Sequence, residues 1–312
     1  MMRLDEELAR ASHDRDSVLT VGVFDGVHRG HRELISRLVS EASDTARSAS
    51  VVTFRNHPAS VLQADFEPRY LTGLDERLRL IYALGTNLVV PVTFDSDLAS
   101  LRPREFIERL QRHLRIRGLV VGPDFALGHR REGDLVKLRA LGEEMGFSLT
   151  TVDVMLDGGR PIRSTAIREA LADGDVDTAT AFLGRTFALD GVVVEGAGRG
   201  RVLGFPTANL EVPSGMAVPG DGIYATWAVL GDRRLMAATS IGTRPTFGEN
   251  KRTVEAFVLD FEGELYDQTV RLEFVHRLRD EIKYDTAEAL QEQIQKDVDQ
   301  TRSILRAIRP VS

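Results

Sequence analysis

The chain has 312 residues, 42% hydrophobic and 28% charged, with 40 Lys and Arg against 47 Asp and Glu. That balance excludes a disordered, collagen-like or membrane-spanning chain, and a net charge of −7 means that any phosphate-bearing ligand must be held by locally placed groups, not by a basic surface. The absence of cysteine excludes disulfides, thiolate nucleophiles, iron–sulfur clusters and cysteine-based zinc sites. The opening stretch MMRLDEELARASHDRD is charged and has no apolar signal core. No run of about 18 apolar residues occurs anywhere. A cytoplasmic protein of two domains is expected.

In chain order, VLTVGVF (Val18–Phe24) reads as a buried strand, followed by a helix with Leu34, Ile35, Leu38 and Val39 on one face. Strands are then predicted at Ser50–Phe54, Asn87–Phe94, Gly118–Gly122 and Phe147–Val154. Helices alternate with them at Leu74–Gly85, Pro103–Leu114 and over EGDLVKLRALGEEMG, residues 132–146. Strands separated by helices indicate βαβ units and a mostly parallel sheet. After about Arg185 the texture changes: FALDGVVVEG, GIYATWAVL, RRLMAATSIG, TVEAFVLDF and TVRLEFVHRL are strand-like runs divided by Gly, Pro, Asn and Asp turns. They read as an antiparallel barrel or sandwich. A final helix is predicted with Asp285 as its cap, Glu288 three residues on, and Leu290, Ile294, Val298, Ile304, Leu305 and Ile308 as its apolar stripe. The domains expected are 1–185 and 186–312.

Two constellations carry chemistry. In the first, GVFDGVHRGH (Gly22–His31) joins the first strand to the first helix. Its glycines let the backbone turn and approach a ligand, and a helix N-terminus offers free N–H groups and the positive end of a dipole. His28 and His31, three apart at that helix start, can both donate to a phosphoryl oxygen. The competing readings are a glycine turn with two surface histidines, and a zinc site for which no third ligand can be placed. Neither a Walker A loop nor a GxGxxG fingerprint is present. Downstream, GPDFALGHRREGD (Gly122–Asp134) follows a strand end, where open α/β sheets bind ligands. PIRSTAIR (Pro161–Arg168) opens a short helix. Ser164 or Thr165 would cap that helix, but Arg163 and Arg168 beside them oppose the dipole unless an anion sits there, which favours a second phosphate contact.

In the second constellation, GAGRGRVLGFPTAN (Gly196–Asn209) joins two strands. Gly198, Gly200 and Gly204 permit close approach, Arg199 and Arg201 add charge, and Thr207 and Asn209 place two hard oxygens on one side of a strand, suited to Mg²⁺ carried by a nucleotide. A flexible glycine-rich hairpin is the plain alternative. Downstream, Glu255 alternates onto a face with Phe257, Leu259 and Phe261, opposite Val254, Ala256, Val258 and Asp260. An acid on an apolar face is either an edge-strand glutamate reaching solvent or a carboxylate placed to take a proton from an attacking alcohol.

GVFDGVHRGH, VTFRNHP (Val52–Pro58), GPDFALGHRREGD and RSTAIR, in this order, resemble the signatures of the bacterial bifunctional riboflavin kinase/FAD synthetase family. EGAGRGRVLGFPTANL, SIGTRPTF, VEAFVLDF, GELY and LRDEIKY resemble its later motifs. The resemblance runs from about residue 17 to 303. It implies a Rossmann-like nucleotidylyltransferase domain with a parallel sheet, then an antiparallel Greek-key β-barrel with a terminal helix. The implied reactions are phosphorylation of riboflavin to FMN by the barrel and adenylyl transfer from ATP to FMN by the α/β domain, giving FAD and pyrophosphate. His28 and His31 would stabilise the α-phosphate, and Ser164, Thr165 and Arg168 would hold the β- and γ-phosphates. Gly22, Phe24, Asp25, Gly30, His57, Asp124, Phe125 and Arg131 would contact nucleotide or flavin, with Asp124 and Phe125 nearest the flavin. In the kinase half, Glu255 would be the general base. Thr207 with Asn209 would hold Mg²⁺–ATP, and Gly198, Arg199, Gly200, Arg201, Gly204, Pro206 and Arg244 would frame the phosphates.

The partners implied are small molecules, with no nucleic acid and no membrane, and with oligomeric state left open. Asn56, Leu127 and Arg163 depart from the family pattern, where proline, phenylalanine and serine are usual. Glu195 and Ala197 stand where relatives often have His and Asp. The first three departures keep alive a chain with only the kinase activity. A flavin-binding regulator is the non-enzymatic alternative, and a nucleotidylyltransferase with another acceptor leaves the second domain unexplained.

Overall fold

Runs of Val, Leu and Ile without polar alternation make strands buried on both faces. The computed structural model describes residues 2–196, 198, 200, 203–246 and 249–307, without the side chains of 244–246 and 249–251. Contacts divide it into two units, Met1–Ser164 and Thr165–Ser312. In the first, β1 (Ser17–Val21) is buried along its whole length and pairs in parallel with β2 (Ser48–Phe54) and β4 (Ile116–Val121). β3 (Leu88–Val92) and β5 (Ser148–Thr151) complete the sheet, in the order β3-β2-β1-β4-β5. The expected parallel α/β sheet is therefore present.

Helices join the strands: α2 (Arg29–Asp44), α4 (Leu74–Tyr82), α6 (Pro103–Leu114) and α7 (Leu135–Met145) are those the periodicity predicts. The short α3 (Ala59–Leu62) and α5 (Ser96–Ser100) sit after β2 and β3. The opening stretch, which carried no structural expectation, forms α1 (Arg3–Arg10), with Leu4 and Leu8 buried against α6 and β3. A small hairpin of β6 (Leu156–Asp157) and β7 (Arg160–Pro161) follows β5.

The second unit carries α8, whose first residue closes the first unit (Ser164–Ala172), then α9 (Val176–Leu183) and a closed barrel. Its strands are β8 (Phe187–Val194), β9 (Ala208–Glu211), β10 (Gly222–Leu230), β11 (Arg233–Thr246), β12 (Glu249–Val258) and β13 (Thr269–Arg279). Every pairing is antiparallel, and the circular order is β10-β11-β12-β9-β8-β13. β13 lies beside β10 while β10, β11 and β12 run consecutively, which is the fourth-beside-first order of a Greek key. A barrel, not a sandwich, is what the turn-punctuated runs encode.

The terminal helix (Ala287–Ala307) packs on β10, β11 and β13. Its cap is Thr286, whose Oγ1 accepts from Ala289 N at 3.2 Å, so the predicted cap at Asp285 is displaced by one residue. Val298 and Leu305 of the predicted stripe are buried, but so are Asp297 and Thr301. Asp297 is buried because Arg279 meets it with two hydrogen bonds of 2.9 and 2.6 Å. Ile308 lies outside the described residues.

Candidate active sites

The strand order of the sheet reverses between β1 and β4, and a crevice opens beyond the carboxyl ends of strands at such a point. A cleft of about 340 Å³ is found there, lined by Gly22, Phe24 and His28 from the loop after β1 and by Gly30 and His31 from the first turn of α2. Gly122, Asp124 and Phe125 line it after β4, with Arg163 and Ser164 before α8. A larger cavity of about 700 Å³, lined mainly by apolar side chains including Phe54, Phe94, Phe106 and Leu127, shares Gly22 and Phe125 with the cleft. Arg131 lines this second cavity and donates from Nη2 to the Asp124 carbonyl at 2.8 Å.

His28 is the N-cap of α2. Its Nδ1 accepts from His31 N at 3.2 Å, which assigns the proton of the neutral ring to Nε2. The His28 and His31 rings stack at 3.6 Å, and Phe24 meets His31 edge-on at 5.2 Å. His31 Nδ1 is buried with no hydrogen-bond partner among the described residues. Burial first, then the charge of His28, then that of Arg77 hold the His31 imidazole well below the ordinary histidine range. The pair is thus two stacked imidazoles, one fixed as an Nε2–H donor and one held neutral, at a helix N-terminus.

The loop bearing them is strained and pinned. Phe24 has φ 52° and Val27 φ 38°, rare values for side chains of this bulk. A Cβ on Gly22 would stand 3.0 Å from the Phe24 ring, so close packing of loop on strand end needs glycine there. Asp25, 1% exposed, accepts from Leu71 N at 3.0 Å and Thr72 N at 3.2 Å. It is a fastening of the loop, not a residue aimed into the cleft. Ser164 Oγ donates to the Asp25 carbonyl at 2.9 Å, tying the start of α8 to the same loop. Arg163 meets an anion within the chain: it reaches Asp124 Oδ2 at 2.8 Å. Thr165 is exposed and Arg168 half-buried on α8, on the other side of the division between units. His57 accepts from Ala59 N at 3.1 Å and stacks on Phe66 at 4.7 Å, and it lines neither cavity.

Two departures from the family pattern have local explanations. Asn56 pairs with the Phe94 backbone in both directions, at 2.8 and 3.0 Å, joining the chain after β2 to the chain after β3. Leu127 is buried and exchanges backbone hydrogen bonds with Gly133 at 3.1 and 3.0 Å.

In the barrel, the register sets Glu255 opposite Asn209 on β9 and Ser240 on β11. Thr207 Oγ1, just before β9, donates to Glu255 Oε2, and Thr253 Oγ1 to Glu255 Oε1, both at 3.4 Å. Glu255, Thr207 and Asn209 are therefore brought together as expected. The face assignment needs correction. Val254, Ala256 and Val258 form the buried core face, Glu255 and Phe257 are half-buried, and the strand ends at Val258, so Leu259 and Phe261 do not continue the Glu255 face.

Gly200 lies where a Cβ would collide with the Phe205 carbonyl, and Phe205 packs edge-on to Phe257 at 5.3 Å. Gly198, Gly204 and Pro206 are exposed in the same segment. Arg199 and Arg201 lie outside the described residues, as does the Arg244 side chain. Glu281, after β13, packs its carboxylate on Gly242, and burial, Asp221 and Glu255 raise its pKa. Among the described residues no group of three His, Asp or Glu could hold a metal ion.

The family model described as FAD synthetase matches residues 10–166, and that described as riboflavin kinase matches 183–305. The bifunctional riboflavin kinase/FMN adenylyltransferase of Escherichia coli is 37% identical over 94% of each chain. The chain belongs to this bifunctional family. The Bacillus subtilis member is 34% identical over 90% of each chain. A solved structure described as a macrolide-efflux protein from Streptococcus pneumoniae superposes with a TM-score of 0.89, at 29% identity, over 96% of this chain and 97% of that one. No helix among the described residues of this family member is long and apolar enough to cross a membrane.

Sequence reasoning missed Arg77, which is 1% exposed and donates to the Val23 and Phe54 carbonyls at 2.9 and 2.6 Å. The signal was present: Arg77 lies four residues before Ile81, on the helix face that buries apolar side chains.

Proposed function

We propose that this chain makes FAD from riboflavin in two ATP-dependent steps, phosphorylation at the barrel and adenylyl transfer at the α/β cleft. The division of labour runs at 1–185 and 186–312. One observation carries the reading: the chain holds two chemically different sites, a histidine pair at a helix N-terminus and a carboxylate flanked by Thr207 and Asn209. The first suits an acceptor that is already an anion, the second an acceptor that must lose a proton.

In the first step Glu255 takes the proton of the riboflavin 5′-hydroxyl as its oxygen bonds the γ-phosphorus and the β–γ bridge breaks, releasing ADP. Thr207 and Asn209 would hold a Mg²⁺ arriving with the nucleotide, which would supply charge neutralisation at the transferring phosphate, and Gly198, Gly200 and Gly204 leave room for close approach of the phosphates. In the second step an FMN phosphate oxygen bonds the α-phosphorus of ATP and pyrophosphate leaves. No base is required. The His28 and His31 donors stabilise charge on the α-phosphate oxygens, and Thr165 and Arg168 bind the leaving phosphates. The apolar cavity beside Phe125 receives the isoalloxazine ring. These substrates are metabolites of the cytoplasm, where we place the protein, and its partners are small molecules.

Incubation with riboflavin, ATP and Mg²⁺, resolved by flavin chromatography, tests this directly. FMN followed by FAD is expected. FMN alone overturns the adenylyl-transfer assignment, and tight flavin binding without turnover overturns both.

A further inference from the structure

Arginine is almost never fully buried unless paired, because removing its charge from water is costly. Arg77 is such a residue, and it lies under the loop that carries His28 and His31. Its two terminal nitrogens reach the Val23 and Phe54 carbonyls, two residues past β1 and at the last residue of β2. The buried Asp25 carboxylate is its compensating charge, and Asp25 in turn takes the Leu71 and Thr72 amides. One cation thus fastens the chain at Val23 and one anion fastens it at Asp25, with the strained φ of Phe24 between the two fastenings and that of Val27 two residues past the second.

Resting on the adenylyl-transfer reading, we infer that Arg77 is a positioning residue for that reaction: it ties the ends of β1 and β2 together and fixes the backbone that presents His28 and His31 to the cleft. A charge placed there also acts electrostatically. A permanent cation beneath the cleft favours the anionic phosphoryl group above it and disfavours a second cation on His31. The groups that share this environment are His28 on the same turn, and Asp124, Asp153 and Arg163 on the cleft walls. Asp25 and Tyr70 face Arg77 itself. Burial is the largest influence keeping His31 neutral, and the charges of His28 and Arg77 add to it.

Two variants separate geometry from charge. Arg77→Met removes both carbonyl contacts and the cation, and Arg77→Lys keeps the cation with a single point of contact. The first readout needs no activity: the NMR titration of the His31 ring in the full chain without nucleotide. The wild-type ring is expected to stay neutral at pH values where Arg77→Met already titrates, with Arg77→Lys close to wild type. The second readout is steady-state kinetics. Arg77→Met is expected to lower kcat for FMN adenylylation at least about tenfold, to move its acid limb to higher pH, and to leave riboflavin phosphorylation unchanged. Arg77→Lys should restore the acid limb but only part of kcat.

An unchanged His31 midpoint in Arg77→Met overturns the electrostatic role. Wild-type adenylylation kinetics in that variant overturn the positioning role. Equal loss of both activities would mark a merely structural residue and overturns the inference as a whole. If wild type makes no FAD, the kinetic arm fails with the functional reading, while the NMR arm still decides the electrostatic claim.

Discussion

The two candidate sites are built from opposite materials. In the α/β unit, two imidazoles line a cleft at the end of a parallel sheet; the Asp124 carboxylate there is paired with Arg163, and Asp25, behind the loop, takes the backbone amides of Leu71 and Thr72. In the barrel, a carboxylate stands at the centre, hydrogen-bonded by two threonines. Both sites are proposed to use ATP, so the co-substrate does not explain the contrast. The acceptor does: a phosphate arrives ionised, whereas an alcohol must be deprotonated on the enzyme. Residue type therefore follows the nucleophile.

Variants can break this contrast, starting with the largest effect. Glu255→Gln should lower riboflavin phosphorylation by about 10²–10⁴-fold while FMN adenylylation persists, measured as FAD formed from supplied FMN. His28→Ala should do the reverse, with adenylylation down by about 10²–10³-fold and phosphorylation intact. If either variant loses both activities with its fold preserved, the two sites are not chemically independent. Thr207→Ala should raise the KM for Mg²⁺–ATP in phosphorylation about tenfold, with little change in adenylylation, and chelation of Mg²⁺ should stop phosphorylation in every variant.

Acid sharpens the comparison without mutation. His31 is held below its ordinary pKa in the folded chain, so below about pH 6.5 the unfolded state binds the extra proton. Stability from this group is fully present above about 6.5 and is lost as pH falls toward the folded-state value. Thermal melts between pH 7 and 5 should show the loss, and His31→Gln should flatten that slope. The smallest effect is expected of Arg163→Ser. Its ion pair with Asp124 is exposed on both sides, so adenylylation should change by no more than about threefold at low salt and not at all at high salt.

Much of the architecture was legible because central parallel strands and turn-punctuated barrel strands carry local patterns. β1, β2 and β4 carry Val- and Leu-rich runs and are buried over nearly all their length, and the glycine-rich turns after Arg185 mark hairpins. What stayed hidden depended on register or on distant partners. Thr207 meets Glu255 only because β9 pairs with β12, and Arg163 meets Asp124 only because two loops converge at the switch point. Arg77 reads locally as one more charged residue on a helix, and its meaning lies in two carbonyls on other strands. The shift of the terminal cap from Asp285 to Thr286 is different in kind. Adjacent Asp and Thr are both good caps, and packing of the helix on the barrel chooses between them.

Barrel closure sets an order on how the chain can acquire its structure. The seam is β8 against β13, pairing Phe187 with Phe274, so the first barrel strand waits for the last. The parallel sheet is complete at Thr151 and has no such wait. On the ribosome, the sheet can settle while the barrel is still an open ribbon with an unpaired edge on β8. A chain broken off before Thr269 would keep that edge exposed, along with the β10 edge that β13 also covers, and would present two templates for intermolecular strand pairing.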